Sequence, residues 1–317
     1  MPRRQKKSIR KGRANDSMGM VVLINPHAGK SASGSSRPET KIAELFAALG
    51  ETPRIVQPQS GSELTSLARE AARGGEQTIV AAGGDGTIST VAGELALTQK
   101  TLGVLPIGTL NHFAKDLRIP LDLASAVRTV VHGRVTAVDV GEVNGRIFIN
   151  NSSLGIYPEI VSRRVLQQQR LGRSKWPAFF RATMRAFRRF PFLRLQIQVE
   201  GRQLARTTPF LFVGNNEYEM AGFKIGSRAR LDAGLLGLYL AQRTSRFGLV
   251  RHAVRALFGR LNQARDFEAF TVKEARIETH RRGLLVACDG EIAWMETPLH
   301  YRTRPGALGV LVPNDTV

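Results

Sequence analysis

The first continuous apolar run, Met20–Ile24 (MVVLI), ends in Asn25-Pro26 and predicts a strand buried on both faces, followed by a turn. A Ser/Gly-rich loop, Lys30–Ser36, comes next. Ile42, Leu45, Phe46 and Leu49 then recur at helical spacing and predict a helix over Pro38–Leu49. Arg54–Gln57 reads as a short strand, and Ser62 opens a second helix, through Ala72, as its N-cap. Gln77–Ala82 is a third strand, and Gly83-Gly84-Asp85-Gly86-Thr87 is a tight turn into a helix over Ile88–Leu97. Leu102–Pro106 is a fourth strand, and Gly108-Thr109 opens a further turn and helix. Strand alternating with helix predicts a Rossmann-like α/β lobe with a mainly parallel sheet, covered on both faces.

Near Ala137 the rhythm changes. Short strand-like segments now follow one another: Ala137–Val143, Arg146–Asn150, Leu193–Glu200, Arg202–Arg206, Thr208–Val213, Leu235–Ala241, Phe270–Thr279, Leu284–Cys288 and Leu308–Val312. Gly, Asn and Asp punctuate them, which predicts an antiparallel β-sandwich. Helical insertions are expected at roughly 159–190 and 246–261. The expected organisation is therefore α/β plus all-β: a basic tail over 1–17, an α/β domain over 18–136 and a β-sandwich over 137–317. The extreme C-terminus is free to return to the first domain.

Composition narrows the setting. The 317 residues are 42% hydrophobic, enough for two ordinary cores. A single cysteine, Cys288, forbids an intramolecular disulfide and suits a reducing cytoplasm. No stretch is long and apolar enough to span a bilayer, so a cytoplasmic protein, at most peripheral to the membrane, is expected. The formal charge of +20 is concentrated. Residues 1–13 carry seven Lys and Arg, residues 163–194 ten and residues 243–260 five, with no acid in any of the three. Such patches attract polyanions, either nucleic acid or an anionic leaflet.

Candidate chemistry lies in four turns. Three glycines within Gly83–Thr87 let backbone N–H groups approach a polyphosphate, and the following helix adds its N-terminal partial charge. Asp85 can then hold Mg²⁺ and Thr87 offers a hydroxyl; a plain strand-to-helix turn with Asp85 as N-cap is the alternative. Asn25-Pro26-His27-Ala28-Gly29-Lys30 and Gly108-Thr109-Leu110-Asn111 follow other strands of the same lobe, whose carboxyl ends converge on a ligand crevice in open α/β sheets. Lys30 is either a phosphate contact or a solvated lysine. Cys288-Asp289-Gly290-Glu291 sets two carboxylates about a glycine at a strand end, where they could serve phosphoryl transfer or simply make a hairpin turn.

Asn25-Pro26-x-x-Gly29-Lys30, Gly83-Gly84-Asp85-Gly86-Thr87, Gly108-Thr109-x-Asn111-x-Phe113-Ala114 and Asp289-Gly290-Glu291 occur in the order and approximate spacing of the diacylglycerol and sphingosine kinase catalytic family, and the chain resembles its bacterial lipid kinases. The resemblance implies ATP and Mg²⁺ as cofactors, with ATP between an α/β lobe and a β-sandwich. It implies nucleotide contacts at Asn25, Lys30, Gln57, Gly83, Gly84, Asp85, Gly86, Thr87, Ile88, Ser89, Thr109 and Asn111. It implies Glu291 as proton acceptor, with Asp85 and Asp289 close to metal and phosphate. Two places depart from the family pattern. His112 stands where relatives often carry Asp, and Ala233 stands where many carry a carboxylate that ligates a structural Mg²⁺, leaving Asp232 as the carboxylate at that place.

Phe247, Val250, Val254, Leu257, Phe258 and Leu261 share one helical face beside Arg251 and Arg255. Phe179, Phe180, Met184 and Phe187 with Arg181, Arg185, Arg188 and Arg189 make a second such element. Basic amphipathic helices suit an anionic membrane surface, though each apolar face could equally pack on the sandwich. The expected activity is an ATP-dependent lipid kinase with a membrane lipid as acceptor, placed at the inner face of the membrane. The alternatives are a soluble kinase of the NAD kinase type, a nucleic-acid-binding protein, and a silent lipid-binding relative. No helix-turn-helix, zinc spacing or RNA-recognition motif supports nucleic acid. The sequence leaves oligomeric state open, a homodimer included.

Overall fold

The computed structural model describes residues 19–25, 37–155, 192–218, 220–221, 224–225, 228–241 and 267–314. The basic tail, Lys30, Trp176 and both expected helical insertions lie outside the described residues. The chain begins β1 (Met20–Ile24), α1 (Pro38–Ala47), β2 (Arg54–Val56), α2 (Gly61–Arg73), β3 (Thr78–Gly83), α3 (Asp85–Leu95) and β4 (Thr101–Pro106). Two further helices follow, α4 (His112–Asp116) and α5 (Leu123–His132). Pro38 starts α1, where its missing N–H is not needed. Ser60, not Ser62, caps α2: its hydroxyl accepts the Glu63 N–H at 3.1 Å, while the Glu63 carboxylate accepts the Gln59 N–H at 2.7 Å. Asp122 caps α5 through the Ser125 N–H.

β1 pairs in parallel with β2 on one side and β3 on the other, and β3 pairs with β4. The resulting order β2-β1-β3-β4 places a topological switch point between β1 and β3. Both faces of this sheet are covered, as the near-continuous apolar strands require. α2 and α3 bury Leu64, Ala68, Ile88, Val91 and Leu95 on one face. α1 and α5 bury Ile42, Phe46, Ala126 and Val127 on the other.

The strands of the second half are β5 (Arg134–Val143), β6 (Arg146–Phe148), β7 (Asn151–Gly155), β8 (Leu193–Val199), β9 (Arg202–Thr208), β10 (Phe210–Asn215), β11 (Met220–Ala221) and β12 (Lys224–Ile225). They continue with β13 (Leu236–Ala241), β14 (Phe267–Val272), β15 (Glu274–Thr279), β16 (Gly283–Cys288), β17 (Glu291–Glu296) and β18 (Leu299–Val312). One antiparallel sheet runs β14-β13-β10-β7-β16-β17. The facing sheet, β18-β15-β8-β9, is not separate: β18 pairs in parallel with β4, so it continues the first lobe's sheet. Leu154, Leu195, Ile197, Val213, Leu238, Val286 and Tyr301 fill the space between the two sheets. The fold is α/β plus an all-β sandwich, and the C-terminal strand does return to the first lobe.

Three local expectations change. The division expected after residue 136 falls inside β5. The single strand expected over Phe270–Thr279 is two, β14 and β15, broken at Lys273 where the chain passes from one sheet to the other. β17 carries no clean alternation and was not predicted.

Candidate active site

The carboxyl ends of β1, β3 and β4 form one edge, where Asn25 and the turns at Gly83–Thr87 and Gly108–Asn111 meet. Asn25, just past β1, donates from Nδ2 to Thr87 Oγ1 at 3.0 Å. Gly84 is the N-cap of α3 and supplies no side-chain cap, so the first N–H groups of the helix lack a capping side chain. Asp85 is therefore the first residue of α3 rather than its cap. Glycine is required here by contact: a Cβ on Gly108 would stand 2.4 Å from Gly84 Cα, and one on Gly83 would stand 2.4 Å from Thr87. A Cβ on Gly86 would meet nothing within 4 Å. The turn is thus closed toward β4 and open at Gly86. Backbone donors, a helix N-terminus and open space fit a polyphosphate.

The other expected nucleotide contacts divide by what their side chains already do. Gln57 lies half-buried just past β2 on the same edge, and Thr109 is exposed on the β4 turn. Ile88 is fully buried in the core and has only its backbone to offer. Asn111, at φ 51°, donates back to Pro106 O at 3.2 Å and Gly108 O at 2.9 Å, so its amide locks the turn. Lys30 lies outside the described residues.

Asp289 is a clamp between the lobes. Its carboxylate accepts Ser89 Oγ–H from α3 at 2.5 Å and the N–H groups of Ile149, Asn150 and Asn151 at 2.8 to 2.9 Å. Burial pushes its carboxyl above the ordinary range, against the pull of these four donors. These four bonds fix the carboxylate's position between the lobes.

Asp85 and Asp289 line one cavity, of about 300 Å³, together with Asn151, Ser153, Phe210, Phe212 and Tyr218. Among the described residues, the Asp85 carboxylate accepts one hydrogen bond, from the Phe113 N–H at 3.5 Å. Glu291 instead opens on a groove with Ser89, Thr90 and Arg146, and accepts Arg146 Nη2–H at 2.6 Å with its side chain 59% exposed. The sequence expectation put Asp85, Asp289 and Glu291 on one reaction centre: Asp85 and Asp289 share the cavity, and Glu291, two residues beyond Asp289, opens on the neighbouring groove.

Asp232 lies on an exposed turn and is paired with Arg230 at 3.0 Å, which holds its carboxyl below the usual range. Among the described residues no group of three His, Cys, Asp or Glu is placed to hold a metal ion, so a structural ion at Asp232 has no ligand set there.

Sequence reasoning missed the cavity's supports. Arg228, fully buried, gives Nε–H to Asp116 at 2.8 Å, Nη1–H to Ile149 O and Asn215 O, and Nη2–H to Asn150 Oδ1. It also lies 5.2 Å from the Tyr218 ring centre. Tyr218 is buried: its hydroxyl donates to Asn150 O, and burial pushes its pKa up to about 12. In sequence Arg228 sits in an unremarkable Ser/Arg stretch, with no signal separating it from a solvated arginine.

Residues 19–143 match the family described as the diacylglycerol kinase catalytic domain, and residues 159–312 match the YegS C-terminal NAD kinase beta sandwich-like domain. A curated diacylglycerol kinase of Staphylococcus saprophyticus is 30% identical over 71% of this chain and 73% of its own length. One from Bacillus subtilis is 29% identical over 75% of this chain and 78% of its own length. Among solved structures, a diacylglycerol kinase from Bacillus anthracis aligns with TM-score 0.67 and 20% identity over 95% of this chain and 98% of its own. A second, putative diacylglycerol kinase from that organism aligns at TM-score 0.69 and 22% identity over 95% and 99%. The motif turns lie in the described order along the two matched regions, and the chain belongs to the diacylglycerol kinase catalytic family.

Proposed function

We propose that this chain transfers the γ-phosphoryl group of ATP to the hydroxyl of a membrane lipid of the diacylglycerol class. Kinase chemistry on an alcohol acceptor follows from the family; the lipid acceptor is the inferred part. The observation that carries it is the joining of two unlike sites at Asp85: the open glycine turn on one side and an aromatic-walled cavity on the other. A soluble polar acceptor would not need Phe210 and Phe212.

The proposed division of labour follows the lobes, with 18–136 binding nucleotide and 137–317 the acceptor. Bound MgATP supplies the transferable phosphoryl group and a charge-neutralising divalent ion. The backbone of Gly84–Thr87 would cradle its phosphates, with Asp85 facing the ion. Asn25 keeps Thr87 in place. Asp85 also borders the cavity, has no ion pair among the described residues and is the carboxylate proposed to take the acceptor's proton. Glu291, the proton acceptor implied by the resemblance, is held by Arg146 on the neighbouring groove. Docking on an anionic membrane would rest on the arginine-rich segments at 159–190 and 246–261. No described helix is long and apolar enough to cross a membrane.

The test is incubation with labelled ATP, Mg²⁺ and a lipid panel in mixed micelles, with the product identified by mass, for the native chain and for Asp85→Asn and Glu291→Gln. Phosphorylated lipid from the native chain and a loss of at least about 1,000-fold in Asp85→Asn are expected, with a smaller loss in Glu291→Gln. Turnover of soluble alcohols alone would sink the lipid reading. Full activity in Asp85→Asn would remove that residue from the reaction.

A further inference from the structure

Strand β7 carries an alternation that the catalytic reading does not use. Ser152 and Leu154 face the sandwich interior, where the Ser152 hydroxyl pairs with Tyr301 at 2.9 Å. Ser153 faces the other way, beside its cross-strand partner Phe212, onto the outer aromatic cluster of Phe210, Phe212, Tyr218 and Tyr239. There it lines the same cavity as Asp85. Ser153 is only 2% exposed, and its hydroxyl has no hydrogen-bond partner among the described residues. A buried hydroxyl left unpaired opposes folding, and such a group aimed into a cavity is matched when a ligand supplies the missing partner.

Volume limits what that ligand is. The cavity, of about 300 Å³, is at the small end of ligand pockets and has room for a glycerol unit with its ester oxygens. Phe210 and Phe212 form the apolar wall along which the first methylenes would leave.

We propose that Ser153 is a specificity-determining residue: its hydroxyl donates to an oxygen adjacent to the reacting hydroxyl, so that the cavity selects a small oxygen-rich lipid head and leaves the acyl chains outside. This rests on the kinase reading above. Two acceptors of similar shape separate the two ideas. Dioctanoylglycerol has ester oxygens next to its free hydroxyl; octyldodecanol, a branched primary alcohol with two alkyl arms, has none.

The native chain is expected to prefer dioctanoylglycerol in kcat/KM. Ser153→Ala is expected to cut that preference by about three- to ten-fold, one neutral hydrogen bond, leaving octyldodecanol turnover and the KM for ATP unchanged. Because the hydroxyl has no partner among the described residues, Ser153→Ala should melt no lower than the native chain. Ser153→Val, which fills the cavity, should slow both acceptors while leaving the KM for ATP unchanged. An unchanged preference in Ser153→Ala, or equal losses on both acceptors, overturns the assignment while leaving the kinase reading standing. A native chain that phosphorylates no lipid overturns both.

Discussion

Ser89 on α3 and Asp289 on the turn between β16 and β17 share a 2.5 Å hydrogen bond across 200 positions of sequence. With the three backbone donors on the same carboxylate, it fastens the α/β lobe to the sandwich at one buried point. Ser89→Ala should lower unfolding stability by about 1.5–3 kcal/mol, the worth of one hydrogen bond to a charged group. Asp289→Asn should lower it further, because an amide nitrogen cannot accept from backbone N–H groups. Urea unfolding of both variants checks the order, and a null effect in Asp289→Asn would deny the clamp.

The Arg228–Asp116 pair is buried on both sides, with side chains 0% and 7% exposed. Arg228→Met leaves Asp116 as an unpaired buried charge and should be destabilising by roughly 3–5 kcal/mol. The double variant Asp116→Leu/Arg228→Met should recover much of that loss, because the solvation penalty goes with the charge. A double-mutant cycle measured by chemical denaturation decides; additive losses would mean that the two residues act independently.

Gly86 separates nucleotide binding from folding. Nothing lies within 4 Å of the position its Cβ would take, and the residue is in the first turn of α3. Gly86→Ala should therefore keep or raise stability, by up to about 1 kcal/mol. The added methyl group would stand where phosphate approaches, and ATP affinity should fall by at least about ten-fold. Calorimetric titration beside a melting curve reads both. Gly108→Ala should fail in the opposite way, losing stability first, because its Cβ would strike Gly84.

Glu142 is nearly buried and accepts from Arg302 at 2.5 Å and Arg304 at 2.6 Å. Burial opposes its ionised form, but the two guanidinium groups outweigh that and hold its pKa below the ordinary 4.5. A folded-state pKa below the unfolded one gives stability that is present above about pH 4.5 and lost as pH falls through the depressed value. Glu142→Gln should be less stable than the native chain at pH 7 by about 1–2 kcal/mol, and the gap should close in acid. Melting curves between neutral pH and pH 3 test this.

The parallel strands were legible because burial on both faces writes them as unbroken apolar runs, as in Met20–Ile24 and Thr78–Gly83. The glycine turn was legible because contact distances permit nothing larger at Gly83 and Gly108. Less was readable where one residue's role depends on distant partners. Asp289 looked like a reacting carboxylate, yet its four donors come from Ser89 and from residues 149–151. Ser152 and Ser153 are adjacent and identical in type, and only the sheet pairing decides that one faces the core and the other the cavity. The first half of β18 was hidden by Pro305 and Gly306, which sit at a register shift between Arg304 and Leu308.

That same strand governs the order of assembly. β4 has β18 as its second neighbour, through Gly309 and Val310. A chain emerging from the ribosome would fold its nucleotide half with one sheet edge bare until residues 299–312 arrive. Among the described strands, it is β18 that covers this edge of the first lobe. A nascent or truncated fragment ending before it would expose a sticky apolar border, so quality control that senses aggregation would act on half-made copies before any could bind ATP.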